Sequence, residues 1–366
     1  MNAHIINCDD HDLFINQYRA NGYIGVGIKT NESTSGSLKS ACRTSYSMYA
    51  DMKTIYPGDM IFIHAGDVIY GVFEAKSYFK EDPNTDSLFL SRNIHFDHIP
   101  NNPDTGWQTL VNQQIPAHNY YRQLSISHFV DNKGRNLCFK KGFSANDVFD
   151  LRRQGEIWSI PERWKYPDFP RTVRPLMITE AQEFIKLLER ENTFPDSTLT
   201  ITPKDLSSFL DINLILDPTI VQNEKIIEAY LCGNLLTPAL QEIFGKITTF
   251  GNNVQIGYLQ GIDILGCTEG IHGISKYKVI EVKVNACLFP KDIQQIFKYI
   301  DWVIEHQTSG NPKYVEGFIV ANSFDDECKN FVRNLNRVNK GKQLSLVTFD
   351  YNRPSCRSLM LTKVSL

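Results

Sequence analysis

The first 160 residues carry short apolar runs broken at regular intervals by turn-forming residues. Residues 22–28 alternate small and apolar side chains, and the turn signal Tyr56-Pro57-Gly58-Asp59 introduces a second run over 60–64. A third run, 69–75, follows across Ala65-Gly66-Asp67, and two such runs split by a glycine turn predict a β-hairpin. Further runs at 93–96 and 124–130 extend the strand-rich pattern. One helix is predicted over 145–153, with Ser144 as its N-cap.

Prolines punctuate residues 168–175, where the chain is expected to leave its first domain. A helix is predicted over 179–191 within a proline-spaced connector, 176–218. Beyond it the periodicity changes. A helix over 224–231 places Ile226, Ile227, Tyr230 and Leu231 on its apolar face. Strands are expected at 255–265 and 278–285. Residues 291–306 form a strongly amphipathic helix, with Ile293, Ile296, Phe297, Ile300, Val303 and Ile304 at helical spacing. A strand at 315–321, a helix at 324–338 and a strand at 344–349 complete a pattern that predicts a mixed sheet flanked by helices.

Length fits this division: 366 residues are too many for one ordinary domain and comfortable for two. The expected domains are 1–175, mostly β, and 219–366, α/β. Hydrophobic residues at 42% and charged residues at 22% describe a globular chain and exclude wholesale disorder. No apolar run reaches membrane-spanning length and the start lacks a secretory pattern, so a cytoplasmic protein without membrane association is expected. The net charge of -3 excludes coating of nucleic acid by bulk basicity, though not a local basic groove.

The eight cysteines form no C-x-x-C pair, which speaks against a zinc cluster, and reduced thiols are the expectation. His95-x-x-His98 lacks a third partner at ligand spacing. Gly245-Lys246 is followed by Ile247 without phosphate-cradling glycines, so ATP-driven translocation is not expected.

Chemistry concentrates in Gly261-Ile262-Asp263-Ile264-Leu265 and Val279-Ile280-Glu281-Val282-Lys283-Val284. Strand alternation puts Glu281 and Lys283 on one face, about 7 Å apart. Asp263, in an apolar strand, is costly unless paired or metal-bound. Two carboxylates brought together raise each other's pKa unless a cation lies between them, and Mg²⁺ prefers such oxygen ligands. Lys283 beside them is suited to orienting a nucleophile and stabilising charge on a phosphate. The pattern therefore points to metal-assisted phosphodiester hydrolysis. Gln295 and Tyr299 form an i, i+4 pair on the helix after Glu281-Val282-Lys283, placed to hold the scissile phosphate or support the ligands. Glu228, on the preceding helix, would extend the metal site.

The ordered set resembles the PD-(D/E)xK nuclease superfamily, and within it NucS-like mismatch endonucleases and related restriction nucleases. The likeness spans about 222–350 and includes Glu228-x-x-Leu231-x-x-Asn234, the Asp263 and Glu281 strands, Gln295-Ile296-Phe297-Lys298-Tyr299, and Val315 to Ala321. It implies a restriction-endonuclease-like fold, Asp263 and Glu281 as metal ligands, Lys283 as catalytic lysine, and Glu228, Gln295 and Tyr299 as supporting residues. Mg²⁺, replaceable by Mn²⁺, would be the cofactor, and double-stranded DNA the substrate. The family often carries an arginine where this chain has Gly261.

The first half resembles PUA-like barrels, EVE domains among them, through Tyr56 to Ile63, Ile69 to Ala75 and Gly155-Glu156-Ile157-Trp158. Such barrels hold a base swung out of the duplex between aromatic rings. The resemblance makes Tyr23, Tyr70, Trp107 and Trp158 candidate cage residues and Lys140, Lys141, Arg152 and Arg153 candidate phosphate contacts. A restriction enzyme, sensitive to base modification or not, is the leading expectation, acting as a homodimer because a double-strand cut needs two centres. A mismatch- or damage-directed repair endonuclease and a nucleic-acid-binding protein with an inert nuclease fold are the alternatives.

Overall fold

The computed structural model describes residues 3–8, 11–19, 22–29, 37–38, 43–82, 117–126, 139–160, 173–192, 207, 213–214, 224–257, 260–269, 275–338, 341, 343–351 and 358–366. The chain divides into two compact units, Met1–Asn213 and Leu214–Leu366. Both mix helices with a sheet. Among the described residues no helix is long and apolar enough to cross a membrane. The runs expected at 93–96 and 127–130, and Trp107, lie outside the described residues.

In the first unit the strands are β1 (Ala3–Cys8), β2 (Tyr23–Lys29), β3 (Met60–Ala65), β4 (Val68–Ala75), β5 (Ala117–Ile126) and β6 (Val173–Leu176). They pair in the order β2-β5-β4-β3-β1-β6, with two short strands at the side. The β3–β4 hairpin forms where the glycine turn predicts it, Ile63 opposite Tyr70 and Ala65 opposite Val68. β1 was invisible to alternation because five of its six residues are buried, as in strands covered on both faces. The helices of this unit include α1 (Arg43–Lys53), α2 (Ala145–Arg153) and α3 (Ile178–Glu191). Ser144 caps α2 as expected, accepting a hydrogen bond from the Asn146 amide.

Residues 173–191 correct the expected boundary at 175 and the connector 176–218. β6 pairs antiparallel with β1, Ala3 opposite Leu176 and His4 opposite Pro175. It ends the strand path, and an edge strand is where a proline is tolerated inside a sheet. α3 then buries Ala181, Phe184, Leu187 and Leu188 in the core of the first unit. Phe184 meets Phe62 and Phe143 edge-on, each at a centroid distance of 5.2 Å. A helix with that apolar face is a core element of the domain, not a linker.

The second unit carries α4 (Glu224–Asn234), α5 (Pro238–Phe244), β7 (Thr249–Gly257), β8 (Gln260–Glu269), β9 (Ser275–Val282), α6 (Lys291–Gln307), β10 (Val315–Ala321), α7 (Asp326–Val338), β11 (Gln343–Tyr351) and β12 (Leu359–Lys363). The strands pair in that order, β7 to β12. β7, β8 and β9 are antiparallel, β9, β10 and β11 parallel, and β12 closes antiparallel. The sheet is mixed, as the element pattern predicts. The single strand expected over 255–265 is instead parts of two strands, β7 and β8, paired antiparallel. β9 starts and ends three residues earlier than expected. Lys283 lies just past it, yet its amide still donates to the Val320 carbonyl at 2.8 Å, so the side-chain alternation carries on to it.

Gly317 on β10 sets how closely α6 packs. A Cβ there would lie 2.6 Å from Ile300 Cδ1 and 3.0 Å from Leu344 Cδ1, so a larger residue would make these side-chain ends shift. Replacing Phe184 by alanine is expected to destabilise the first unit by about 3–5 kcal/mol. Denaturant unfolding measures this; a loss below about 1 kcal/mol would mean α3 is not core.

Candidate functional site

The hairpin register and the α6 packing converge on Glu281. Beyond the last paired positions of β8 and β9, Ile264 and Ile280, the register carries Asp263 to Glu281. Asp263 Oδ2 accepts a hydrogen bond from the Val282 amide at 2.9 Å, which fixes its carboxylate beside Glu281. Glu281 is buried, 1% exposed. Its Oε1 accepts from Lys283 Nζ at 2.6 Å and from Gln295 Nε2 at 2.7 Å. Gln295 Nε2 also donates to the Tyr299 hydroxyl at 2.9 Å. The structure therefore brings Asp263, Glu281, Lys283, Gln295 and Tyr299 together.

Glu281 Oε2 is buried and has no hydrogen-bond partner. A buried carboxylate oxygen left so is costly. Burial pushes the Glu281 carboxyl up to about 9; the Asp263 charge adds to the rise, Lys283 opposes it, and Glu228 raises it further. Burial works against the Lys283 charge, but an ionised Glu281 beside it prevails and holds the amine above its ordinary range. Tyr299 is raised, first by burial and then by the Glu281 and Asp263 charges, against the Gln295 hydrogen bond.

These residues fit a divalent cation. An unsatisfied carboxylate oxygen next to a second carboxylate is the donor pair that Mg²⁺ takes, with water and phosphate completing the shell. Among the described residues no three His, Cys, Asp or Glu side chains form a metal-holding group by themselves, so protein ligation rests on this pair.

Glu228, on α4, is buried, and its charge reaches Glu281. Its own oxygens, however, bind Lys225 Nζ at 2.5 and 2.7 Å. Lys225 also lies 3.9 Å from Asp263 Oδ1. Sequence reasoning missed this lysine, although its i, i+3 spacing to Glu228 was a usable signal. At Gly261 a Cβ would overlap Asn253 Oδ1 and lie 2.9 Å from Gln255 Nε2, so a larger residue there would displace these two side chains.

In the first unit, Trp158, Arg152 and Arg153 line one open pocket of about 500 Å³ with Phe149, Gly155 and Ile157. Arg152 donates to the Trp158 and Ile160 carbonyls, and Arg153 pairs with Asp150 at 3.2 Å. Tyr23 and Tyr70 do not line this pocket. Tyr23 is buried in the core. Tyr70 belongs to a separate cluster, bonded to His11 Nε2 at 2.7 Å, packed on Phe14 and beneath Arg19. Lys140 and Lys141 are exposed and lie outside the pocket lining.

Glu180 organises the pocket rim and was not anticipated. Fully buried, it accepts from the Trp158 amide at 2.6 Å, the Ser159 amide at 2.7 Å, the Ser159 hydroxyl at 2.5 Å and the Met177 amide at 2.7 Å. Burial raises its pKa even against these four bonds. Its position in the first turn of a predicted helix, where a capping-box glutamate sits, was the available signal.

No family model matches the chain and no curated protein matches it. Among solved structures, human THYN1, determined in complex with 5-methylcytosine-containing DNA, matches 52% of this chain and 100% of its own. The identity is 11% and the TM-score 0.28, a likeness too distant to carry an argument about this chain.

The raised Glu281 pKa has a consequence for stability without metal. Between its ordinary value of 4.5 and about 9 the folded state keeps a proton that the unfolded state has lost. Its contribution to stability is therefore complete below pH 4.5 and declines as pH rises through that window. The thermal midpoint of metal-free protein is expected to fall between pH 6 and 9, and Glu281→Gln, which cannot ionise, should flatten the fall. An equally steep decline in the variant contradicts the assignment.

Proposed function

We propose that the protein is a Mg²⁺-dependent endonuclease acting on double-stranded DNA, with the second unit cutting and the first selecting the site. The observation that carries the reading is the unpartnered Oε2 of Glu281 beside Asp263, with Lys283 on the opposite oxygen. Asp263 and Glu281 would hold the ion, which, when bound, supplies Lewis-acid polarisation of a phosphate and a more acidic water.

The chain's own residues do the rest. Lys283, kept protonated once Glu281 is ionised, presents a cation to charge developing on the phosphate and orients the attacking water. Gln295 fixes Glu281 Oε1, so that the other oxygen stays free for the ion. Tyr299 anchors Gln295 from one turn further along α6. The complete acidic and lysine set favours an active enzyme over an inert nuclease fold, since a decayed site would be expected to lose a charge.

In the first unit the aromatic and arginine pocket supports a reading role of the PUA-like kind. Trp158 and Phe149 offer stacking faces and Arg153 a phosphate contact. A restriction role follows from pairing such a reader with a cutting centre, and two chains acting together would supply the two cuts.

Asp263→Ala and Lys283→Ala are each expected to lower cleavage of duplex DNA in Mg²⁺ at least about a hundredfold. Either variant cutting as well as wild type contradicts the assignment. Trp158→Ala is expected to weaken DNA binding by about 1–3 kcal/mol in a gel-shift titration. Comparing methylated, unmethylated and mismatched duplexes tests the role: cleavage of mismatched duplex alone ends the restriction reading.

A further inference from the structure

Two of the carboxylates around the candidate centre already face a cation that the chain supplies. Lys225 Nζ contacts both Glu228 oxygens and lies 3.9 Å from Asp263 Oδ1, with its side chain 13% exposed. Lys225 is the second residue of α4. A positive charge in the first turn of a helix is opposed by the helix dipole, so the carboxylates, and not the helix, favour the ammonium there. Glu281 differs: Lys283 covers one of its oxygens and the other has no partner.

We infer that Lys225 is a displaceable internal counter-ion, which neutralises Glu228 and Asp263 until a divalent cation binds and thereby sets the concentration at which the centre loads. The inference rests on the metal-dependent reading above. A divalent ion held by Asp263 brings a second positive charge onto a carboxylate that the ammonium already faces. The two cations compete, and the flexible four-carbon stem lets the lysine yield. The competing role is the reverse: Lys225 would steady Asp263 in its ligating position and so strengthen metal binding.

Calorimetric titration of the full chain with Mn²⁺ alone, in wild type, Lys225→Met, Lys225→Arg and Asp263→Ala, separates these. Lys225→Met is expected to bind Mn²⁺ at least about fivefold more tightly than wild type. Lys225→Arg, which keeps the charge, should stay close to wild type. Without metal the unfolding midpoint of Lys225→Met should lie below wild type, and Mn²⁺ should raise it by more. Unchanged or weaker binding by Lys225→Met, with Asp263→Ala deficient, overturns this inference and leaves the nuclease reading standing. Wild type that binds no Mn²⁺ overturns both.

Discussion

The second unit is organised around a buried carboxylate satisfied on one side only. Glu281 keeps one oxygen under Lys283 and Gln295 and leaves the other without a partner, with Asp263 close enough to raise its pKa. A folded chain seldom leaves such a group unsatisfied, because the desolvation cost is not recovered by packing. The cost has a use if a cation completes the pair, and the nuclease reading depends on that. The lysines divide the work: Lys283 faces Glu281, and Lys225 faces Glu228 and Asp263.

The arrangement follows from ordinary sheet and helix constraints. The β8–β9 register sets Asp263 against Glu281, and the continued ladder through Lys283 keeps its side chain on the same face. Ile296 and Ile300 of α6 lie over Gly317 of β10, and Gln295 of the same helix bonds Glu281. Gly261 leaves room for the Asn253 and Gln255 side chains of the neighbouring β7. In the first unit the buried Glu180 does comparable work, holding the backbone at Ser159 and at the pocket-lining Trp158.

Much of the candidate site was legible in sequence because it obeys two short periods. Strand alternation put Glu281 with Lys283, and i, i+4 spacing put Gln295 with Tyr299. What escaped depends on contacts between elements. Nothing local in Lys225 marks it as reaching Asp263, 38 positions away, and nothing local in Glu180 marks its bonds to Trp158 and Ser159. β1 was hidden by burial on both faces. Flanking prolines give the α3 region the pattern of a connector, although Phe184 and Leu188 give the helix a core-facing side. Tyr23 and Tyr70 shared the aromatic character of a cage residue, but burial and ring packing, not composition, decide where such rings go.

On the nuclease reading, the Glu281–Asp263 pair trades a proton for a divalent cation. Calorimetry of Mn²⁺ binding near pH 7.5, in buffers of different ionisation enthalpy, counts the protons released per ion. Proton release is predicted, because burial and the Asp263 charge hold the Glu281 carboxyl above its ordinary range and it must ionise to bind. Binding with no proton release, or no binding, would contradict it.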